Sequence, residues 1–407
     1  MKVDRFTVLL VCLAGLGFGG QHADAPRPRA LTHANVVDAR SGSIARDVTL
    51  TIRDGRIAAL GSDAPPAGYE IVDLDGAYVL PGLIDAHTHL GTLDAARRAL
   101  ESGVTTVRMA GVPFFTDVAM RELARSGAIP GPDVVPSGLF VRHAPPPDAI
   151  LTEPSLSSLD PNGNRAANLR RVVQVNLARD VEVIKVAATE RAGLPDTDPR
   201  QQTYSEAELR AVVGEAATRS VPVEAHAHGD AGAMAAVRAG VRSIEHGTYL
   251  SDATLTLMRE NGVFLVPTYA TLTDLGAPGG DYDDPVLMIR ARHMLPRLRT
   301  TIEHAHRIGV RLVTGSDTAY GPSSLVRISH EVAHLAEMGL TPLEAIQAAT
   351  ITGAELLMIE DRTGAVEPGL EADLLVVHDN PLENLLALQD PLLIVSNGRI
   401  ALNRLTR

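Results

Sequence analysis

The pattern of hydrophobic and polar residues divides the chain into strand-rich ends and a middle region with a different period. Short runs typical of strands lie near both ends, at 31–38, 48–53, 56–60, 69–74, 373–378 and 392–396, and Asn397-Gly398-Arg399-Ile400 follows the last of them. Asp54-Gly55, between the second and third of these runs, is a strong hairpin-turn signal. The pattern predicts one small β domain, a β-sandwich built from both termini, over residues 26–80 and 360–407.

Between residues 81 and 359, short β-branched runs alternate with longer stretches of helical period. The predicted strands are a run ending at His87 and the runs 104–108, 133–137, 181–185, 221–226, 242–246, 263–266 and 310–314. The main predicted helices are 94–102, 165–180, 205–219, 231–239 and 285–308. Such alternation is typical of βα units with parallel strands. We therefore predict an α/β fold, a (β/α)8 TIM-like barrel over residues 81–359.

Composition and charge narrow the classes of function. Hydrophobic residues make up 45% of the 407 positions and charged residues 21%, which is typical of an ordinary globular protein. Aromatic residues are only 3% and tryptophan is absent, so stacking platforms for bases are scarce. The formal net charge of −12 also repels a polyanion. We expect the protein to bind a small-molecule substrate and no nucleic acid. A homo-oligomer is compatible with the sequence, but the sequence does not determine the oligomeric state.

The first 25 residues resemble a secretory signal peptide. Lys2 and Arg5 precede an apolar run at 6–20, and Ala23-Asp24-Ala25 offers a small-x-small cleavage site. The prediction is export to a periplasm or the medium, with no membrane attachment after cleavage. Cys12 is the single cysteine and lies inside this segment, so the mature chain would have no disulfide and no thiolate ligand.

His87-Thr88-His89 follows an apolar run that begins after Pro81-Gly82. Side chains two apart on a strand point to the same side, so both imidazoles can face one cation. A bare His-x-His is a weak signal, and surface histidines explain most chance matches. Further candidate ligands near the ends of predicted strands reverse that preference: Lys185, His226, His246 and Asp317. In a barrel, these strand ends meet at one mouth, so the six side chains are predicted metal ligands.

Each of these further candidates also has a plainer interpretation. Lys185 stands in an apolar run, where a lone lysine more often buries its stem and extends its charge to solvent. The other candidate ligands favour a desolvated amine that takes up CO2 to form a metal-bridging carbamate. His246 could be a core histidine, and Asp317 could cap a helix. Both His226 and His228 could bind a metal; His226 is assigned to the metal because the predicted strand ends near it, and His228 to substrate or a supporting position.

Together these residues resemble the ligand set of the binuclear branch of the amidohydrolase superfamily. The sequences around Val104–Arg108, Ile184-Lys185-Val186 and His226-Ala227-His228-Gly229 are similar to those of the imidazolonepropionase-related group, which includes prolidase-like peptidases. Two departures stand out. Imidazolonepropionases use one metal and no bridging lysine, whereas this chain has Lys185. Prolidase-like members commonly carry tyrosine where this chain has His228.

The resemblance implies two divalent cations, with Zn²⁺ the first choice for nitrogen and oxygen donors. His87, His89 and Asp317 would bind the more buried ion, His226 and His246 the second, and carbamylated Lys185 would bridge them. A metal-bridging hydroxide would attack the substrate, and Asp317 would transfer its proton to the leaving amine. Asp317 and Lys185 are thus the predicted catalytic residues.

The predicted function is hydrolysis of an amide or peptide-like C–N bond in a dipeptide, an N-acyl amino acid or a related amide. His143, His228 and Tyr249 are candidates for binding the substrate carboxylate or carbonyl. Three alternatives stay open: a mononuclear cyclic-amide hydrolase or deaminase, a binuclear lactonase or phosphotriesterase-like hydrolase, and a non-catalytic binding protein. The last would be marked by lost ligands, and none is lost here.

Overall fold

The computed structural model of the chain describes residues 27–279 and 283–405, so the predicted signal segment, with Cys12, lies outside the described residues. The strands, numbered in chain order, are β1 Arg29–Val37, β2 Ile44–Arg53, β3 Arg56–Gly61, β4 Glu70–Asp73, β5 Tyr78–Pro81, β6 Leu83–Thr88, β7 Val104–Met109, β8 Asp133–Val135, β9 Ile184–Ala187, β10 Val223–Gly229, β11 Ser243–Tyr249, β12 Phe264–Val266, β13 Leu374–Val377, β14 Leu393–Ser396 and β15 Arg399–Asn403.

The α-helices are α1 Leu93–Glu101, α2 Thr116–Arg125, α3 Pro147–Thr152, α4 Arg165–Leu177, α5 Glu206–Ala217, α6 Asp230–Ala239, α7 Asp252–Asn261, α8 Tyr269–Leu275, α9 Pro285–Ile308, α10 Ile328–Glu337, α11 Pro342–Ala348 and α12 Ile351–Leu357. Short 3-10 helices cover Pro113–Phe115, Pro154–Ser158 and Leu385–Gln389. None of the helices within 27–279 and 283–405 combines the length and apolar character needed to cross a membrane.

Strands from both ends of the chain share one sheet, in the order β15-β14-β13-β5-β1-β2-β3, with β4 paired to β1. The two ends meet where β5 pairs antiparallel with β13, with Leu80 opposite Leu375. Leu31, Leu50 and Val79 belong to the buried core of this layer. The sequence predicted that strands from both ends of the chain combine, but it did not predict β5. Pairing within one sheet defines neither a sandwich nor a domain boundary, so both of those stay predictions.

Parallel strands form the middle of the molecule, as one sheet of β6-β7-β8 and another in the order β12-β11-β10-β9. Single-residue bridges connect them: Val141 with Val186, Leu265 with Leu312, and Thr88 with Thr318. The segment 311–318 lies between β12 and β6, because Val313 N–H donates to Leu265 O (3.0 Å) and Asp317 N–H donates to His87 O (2.7 Å). The mixed α/β fold is therefore as predicted.

The strand predicted at 310–314 is wrong as a continuous element. Leu312 makes only a single bridge there. Thr314 N–H instead donates to Ala348 O (3.1 Å), outside the parallel sheets. The backbone of this segment divides its hydrogen bonds among several neighbours, so no regular ladder forms.

The five predicted helices correspond to α1, α4, α5, α6 and α9, each within three residues of the predicted bounds. Local capping fixes some of these ends: Thr92 accepts from Ala95 N–H before α1, and Ser205 and Glu208 form a capping box at α5. The remaining helices, which include the ten-residue α2, α7 and α10, were not among those predicted. Helices and parallel strands share one large apolar core, including Leu209 and Val223.

Candidate functional site

The predicted metal ligands all line one cavity at the C-terminal ends of the parallel strands. Its lining residues include His87, His89, Lys185, His226, His228, His246 and Asp317. The cavity contains about 510 Å³ of space, counting its open mouth. Strands β6, β10 and β11 and the residues that directly follow them supply all five histidines of the lining, and the segment after Thr314 supplies Asp317. Side chains from more than 200 positions apart in sequence thus converge on one small volume.

His87, His89 and Asp317 form one cluster of donor atoms. Asp317 Oδ1 lies 3.1 Å from His89 Nε2 and 3.5 Å from His87 Nε2. The glycine two positions before Asp317 makes this approach sterically feasible, because a Cβ on Gly315 would lie 2.8 Å from the Cβ of His87. Two imidazole nitrogens and one carboxylate oxygen therefore face a common point.

A second cluster contains His226, His228 and His246, whose donor atoms all lie within 4.8 Å of one another. His228 Nδ1 is 2.8 Å from Thr248 Oγ1, and His246 Nδ1 is 2.7 Å from Thr268 Oγ1. Such contacts fix ring orientation and leave Nε2 for another partner. His226 Nε2 instead lies 3.1 Å from the carbonyl oxygen of Glu190. Both histidines of β10 reach the site, so the assignment of His226 rather than His228 to a metal stays a prediction.

The histidines of both clusters favour the neutral form that binds cations. Burial lowers the pKa of His87, His226 and His246 well below the usual value, and burial lowers that of His228 to about 3. A neutral imidazole keeps a lone pair on one ring nitrogen. These rings are thus suited to coordinate a divalent ion, which the residues of the site fit by both donor type and proximity.

Lys185 is buried with 1% of its surface exposed, and within the described part of the chain its Nζ has no hydrogen-bond partner. Burial lowers the pKa of the Lys185 amine, although the nearby carboxylate of Glu224 opposes the effect. An unpartnered buried polar atom is costly, so its retention calls for a chemical reason. A free amine that can become a carbamate supplies such a reason.

A buried ion-pair network lies beneath the cluster, and the sequence did not assign roles to its members. Glu245 Oε2 is 2.7 Å from His87 Nδ1, and both Glu245 oxygens lie within 2.9 Å of Arg108 Nη2. Arg108 Nε is also 2.9 Å from Glu224 Oε2. A carboxylate can only accept, so the His87 proton is on Nδ1 and the Nε2 lone pair faces the cavity. For the two glutamates a signal was available, because Glu245 is next to His246 and Glu224 is two residues before His226 in runs predicted to be strands.

Three residues at the site adopt left-handed backbone conformations that side chains disfavour. The φ angles are +74° at His246, +50° at Thr268 and +48° at Asp317. Such strain costs on the order of 1–3 kcal/mol per residue and occurs preferentially at functional sites. At His246 and Asp317 the strained residue is itself a predicted ligand.

Two of the three predicted substrate-binding residues do not line the cavity. His143 Nδ1 lies 3.1 Å from Tyr204 Oη, and the Tyr249 ring packs near His293 with centroids 6.3 Å apart. Only His228 of the three is among the lining residues. Residues that the sequence did not single out also line it, including Phe140, Arg191, Leu272 and Leu275. The roles of His143 and Tyr249 therefore stay predictions without support from this geometry.

Comparisons with known proteins agree with this site. Ochratoxinase from Aspergillus niger is 28% identical over 404 residues, covering 89% of this chain and 83% of the relative. Imidazolonepropionase from Micrococcus luteus is 28% identical over 366 residues, covering 83% of this chain and 88% of that protein. The solved structure of a prolidase complexed with N-methylphosphonate-L-proline has a TM-score of 0.81 at 27% identity, covering 92% of this chain and 99% of the other.

These relatives confirm the resemblance predicted from the ligand residues. The model of the amidohydrolase family matches residues 78–401, from β5 in the terminal sheet, through the helices and parallel strands, to β15. The match thus includes every lining residue of the cavity. The chain therefore belongs to the amidohydrolase family.

Proposed function

We propose that this protein is a binuclear metal-dependent hydrolase of an amide or peptide-like C–N bond. Membership of the amidohydrolase family makes it a hydrolase; the use of two metals and the kind of amide are the proposal. The relatives named ochratoxinase and prolidase support an amide substrate. The single observation that carries the binuclear proposal is the buried Lys185 Nζ, which has no hydrogen-bond partner among the described residues and lines the same cavity as both groups of ligand atoms.

The use of lysine along the chain strengthens that observation. Lysine occurs only at positions 2 and 185, whereas the remaining cationic residues counted among the 37 lysines and arginines are arginines. After removal of the proposed signal segment, Lys185 would be the sole lysine. An arginine at this position could supply no free amine, because its guanidinium stays protonated. The sole lysine of the processed chain would thus occupy the position at which the proposed carbamate requires a free amine.

The proposed ligand sets follow from proximity and donor type. His87, His89 and Asp317 would hold one ion, His226 and His246 the other, and a carbamate on Lys185 would bridge them, with Zn²⁺ the first choice. When bound, the ions would lower the pKa of a shared water and polarise the scissile carbonyl. Glu245 would hold His87 in the tautomer that presents Nε2 to the cavity.

Asp317 is the proposed proton carrier. Its carboxylate is almost buried and lies 3.1 Å from His89 Nε2 and 3.5 Å from His87 Nε2, so it would be close to a water held by the metal ligands. Asp317 would accept a proton from the attacking water and deliver it to the leaving nitrogen, which otherwise departs as a poor leaving group. The backbone of Asp317 is also strained, with a φ of +48°, as is typical of functional residues.

We also propose the architecture and location that the sequence predicts. The bridges through Val186, Leu312 and Thr318 support a (β/α)8 barrel over residues 81–359. The shared terminal sheet supports a composite β domain over residues 26–80 and 360–407. Export with cleavage near residue 25 is proposed from the sequence alone. N-terminal sequencing of protein recovered from the periplasm or medium tests it, and an intact Met1 there would contradict it.

The function is tested by assaying metal-loaded protein on X-Pro dipeptides, other dipeptides and N-acyl amino acids, with lactones and phosphotriesters in parallel. We expect release of a free amine and an acid from at least one amide class. Asp317→Asn should lower kcat by roughly 10²–10⁴-fold, the usual contribution of a positioned acid–base group. Turnover of lactones or phosphotriesters alone would contradict the proposal and favour the lactonase alternative. Release of ammonia with one metal per chain would favour the mononuclear deaminase.

A further inference from the structure

Arg191 is a cation on the cavity wall that the proposed mechanism does not use. It lines the cavity together with the next two residues, Ala192 and Gly193, on the loop that follows β9. It is half-buried. Within residues 27–279 and 283–405 its guanidinium forms neither a hydrogen bond nor an ion pair. A partly desolvated guanidinium without a partner can bind an anion in the cavity.

A second arginine adds positive charge to the same side of the site. Arg142 is half-buried and lies over the ring of Phe140, 4.9 Å from its centroid, and Phe140 lines the cavity. Burial lowers the pKa of Arg142, and the positive charge of Arg191 lowers it further. This side of the cavity is therefore locally cationic, although the whole chain has a formal net charge of −12.

The loop that carries Arg191 is held in place by Arg290 of α9. Arg290 Nη1 donates to the carbonyls of Ala192 (2.6 Å) and Leu194 (2.5 Å), and Nη2 donates to those of Pro195 (3.1 Å) and Thr197 (2.6 Å). Thr197 Oγ1 donates to the carbonyl of Arg191 itself (2.5 Å). The backbone that carries Arg191 is thus held in place before a ligand arrives, which reduces the part of the entropy cost of binding that comes from ordering the loop.

The remaining lining residues indicate the body of the ligand. Phe140, Leu272 and Leu275 supply an apolar wall. Asp317 and a carbamate on Lys185 would repel a substrate carboxylate, whereas the guanidinium of Arg191 would attract it. The cavity thus combines one anion-binding point, one apolar wall and the reacting centre.

We propose that Arg191 binds the free carboxylate of the substrate, and so selects amides of amino acids with apolar side chains over neutral amides. This inference rests on the proposed amide hydrolysis. It assigns to Arg191 the contact with the substrate carboxylate, for which His143 and Tyr249 were candidates from the sequence. Arg191 is then a specificity-determining residue that acts on substrate binding, while Asp317 and the metal ligands act on the bond.

The test compares N-benzoyl-leucine with N-benzoyl-leucinamide, which share the benzoyl–nitrogen bond and differ in the carboxylate. Benzoate release measures kcat/KM for both on metal-loaded protein. The wild type should prefer the carboxylate substrate, and Arg191→Met should lower kcat/KM for that substrate by about 10–100-fold, the usual worth of a charge-assisted hydrogen bond. The value for the neutral amide should change less than threefold. Arg191→Lys, which keeps the charge but loses the planar fork, should fall between the two.

Arg200→Gln is the matched control. Arg200 lies on the same stretch of chain but is exposed and pairs with Asp198, outside the cavity lining. It should leave the ratio of the two substrates unchanged. Equal melting temperatures and metal contents of all variants establish that the fold and the centre are intact.

Calorimetric binding of N-benzoyl-leucine and its amide to Asp317→Asn, with and without Arg191→Met, separates this inference from the proposed function. Carboxylate binding that depends on Arg191, without benzoate release by the wild type, would support the inference and contradict hydrolysis of this amide class. Benzoate release with the same substrate ratio in wild type and Arg191→Met would support hydrolysis and overturn the inference. Equal or undetectable binding of the two ligands in the Arg191-containing protein, without benzoate release, would overturn it as well.

Discussion

The substitution Glu245→Gln tests whether the buried network beneath the site controls both stability and metal binding. Glu245 is fully buried and accepts from three groups: Arg108 Nη2 (2.8 and 2.9 Å), Ser243 Oγ (2.5 Å) and His87 Nδ1 (2.7 Å). Glutamine preserves the shape but has one oxygen and one NH2 group. If the NH2 faces Arg108, two donors oppose each other. If it faces His87, the ring must protonate Nε2, which blocks coordination.

The structure sets the expected magnitude. Removing one partner of a buried ion pair commonly costs about 3–5 kcal/mol, and Arg108 keeps Glu224 at 2.9 Å and the Ala86 carbonyl at 2.6 Å. We therefore expect the low end of that range, about 3 kcal/mol in the free energy of unfolding of metal-free protein. Metal affinity should fall by about 10–100-fold, as is usual when the partner of a metal-binding histidine is lost.

Urea unfolding of the metal-free protein and competition with a chelator measure these two quantities. Glu206→Gln is the control, because Glu206 forms an exposed ion pair with Arg210 and should contribute at most about 1 kcal/mol. If Glu245→Gln matched this control in both measurements, the supporting role of the network would be refuted.

Two further predictions concern single buried groups. Burial raises the pKa of Glu331 from 4.5 to about 8, although the carboxyl group accepts hydrogen bonds from the N–H groups of Tyr269 and Ala270. Between pH 4.5 and about 8, Glu331 therefore releases a proton when the protein unfolds. The free energy of unfolding should fall as the pH rises through this range. The difference in unfolding free energy between wild type and Glu331→Gln should change by about 1 kcal/mol per pH unit there, and Glu337→Gln, at an exposed position on the same helix, is the control. Protein prepared with 13C-bicarbonate should show a 13C carbamate resonance that disappears in Lys185→Ala; its absence from metal-loaded wild type would contradict the bridging group.

The sequence was most informative where chemistry coincides with strand ends. His87, His89, Lys185, His226 and His246 each follow or end a β-branched run, so the barrel rule alone brings them together. The long helices were equally accessible, because α9 repeats its apolar positions over many turns and is bounded by Asp284 and Gly309.

Contacts between side chains that are far apart in the chain could not be predicted from the sequence. Arg108 and Glu245 are 137 positions apart, and nothing local indicates that their charges meet beneath His87. Arg191 lies in an irregular loop whose course depends on Arg290 in α9, so no periodicity points it at the cavity. The same limit explains His143 and Tyr249: their positions after predicted strands suggested a role, but the side chains pack against Tyr204 and His293.

The metal content of purified protein tests the central claim most directly. Wild type, refolded or dialysed with Zn²⁺ and bicarbonate, should bind two equivalents per chain, and Lys185→Ala should bind one or fewer and lose turnover. The reason for that expectation is that Lys185 is buried and lines the same cavity as both ligand clusters. One equivalent in both proteins, with turnover retained by Lys185→Ala, would contradict a binuclear centre and restore the mononuclear alternative.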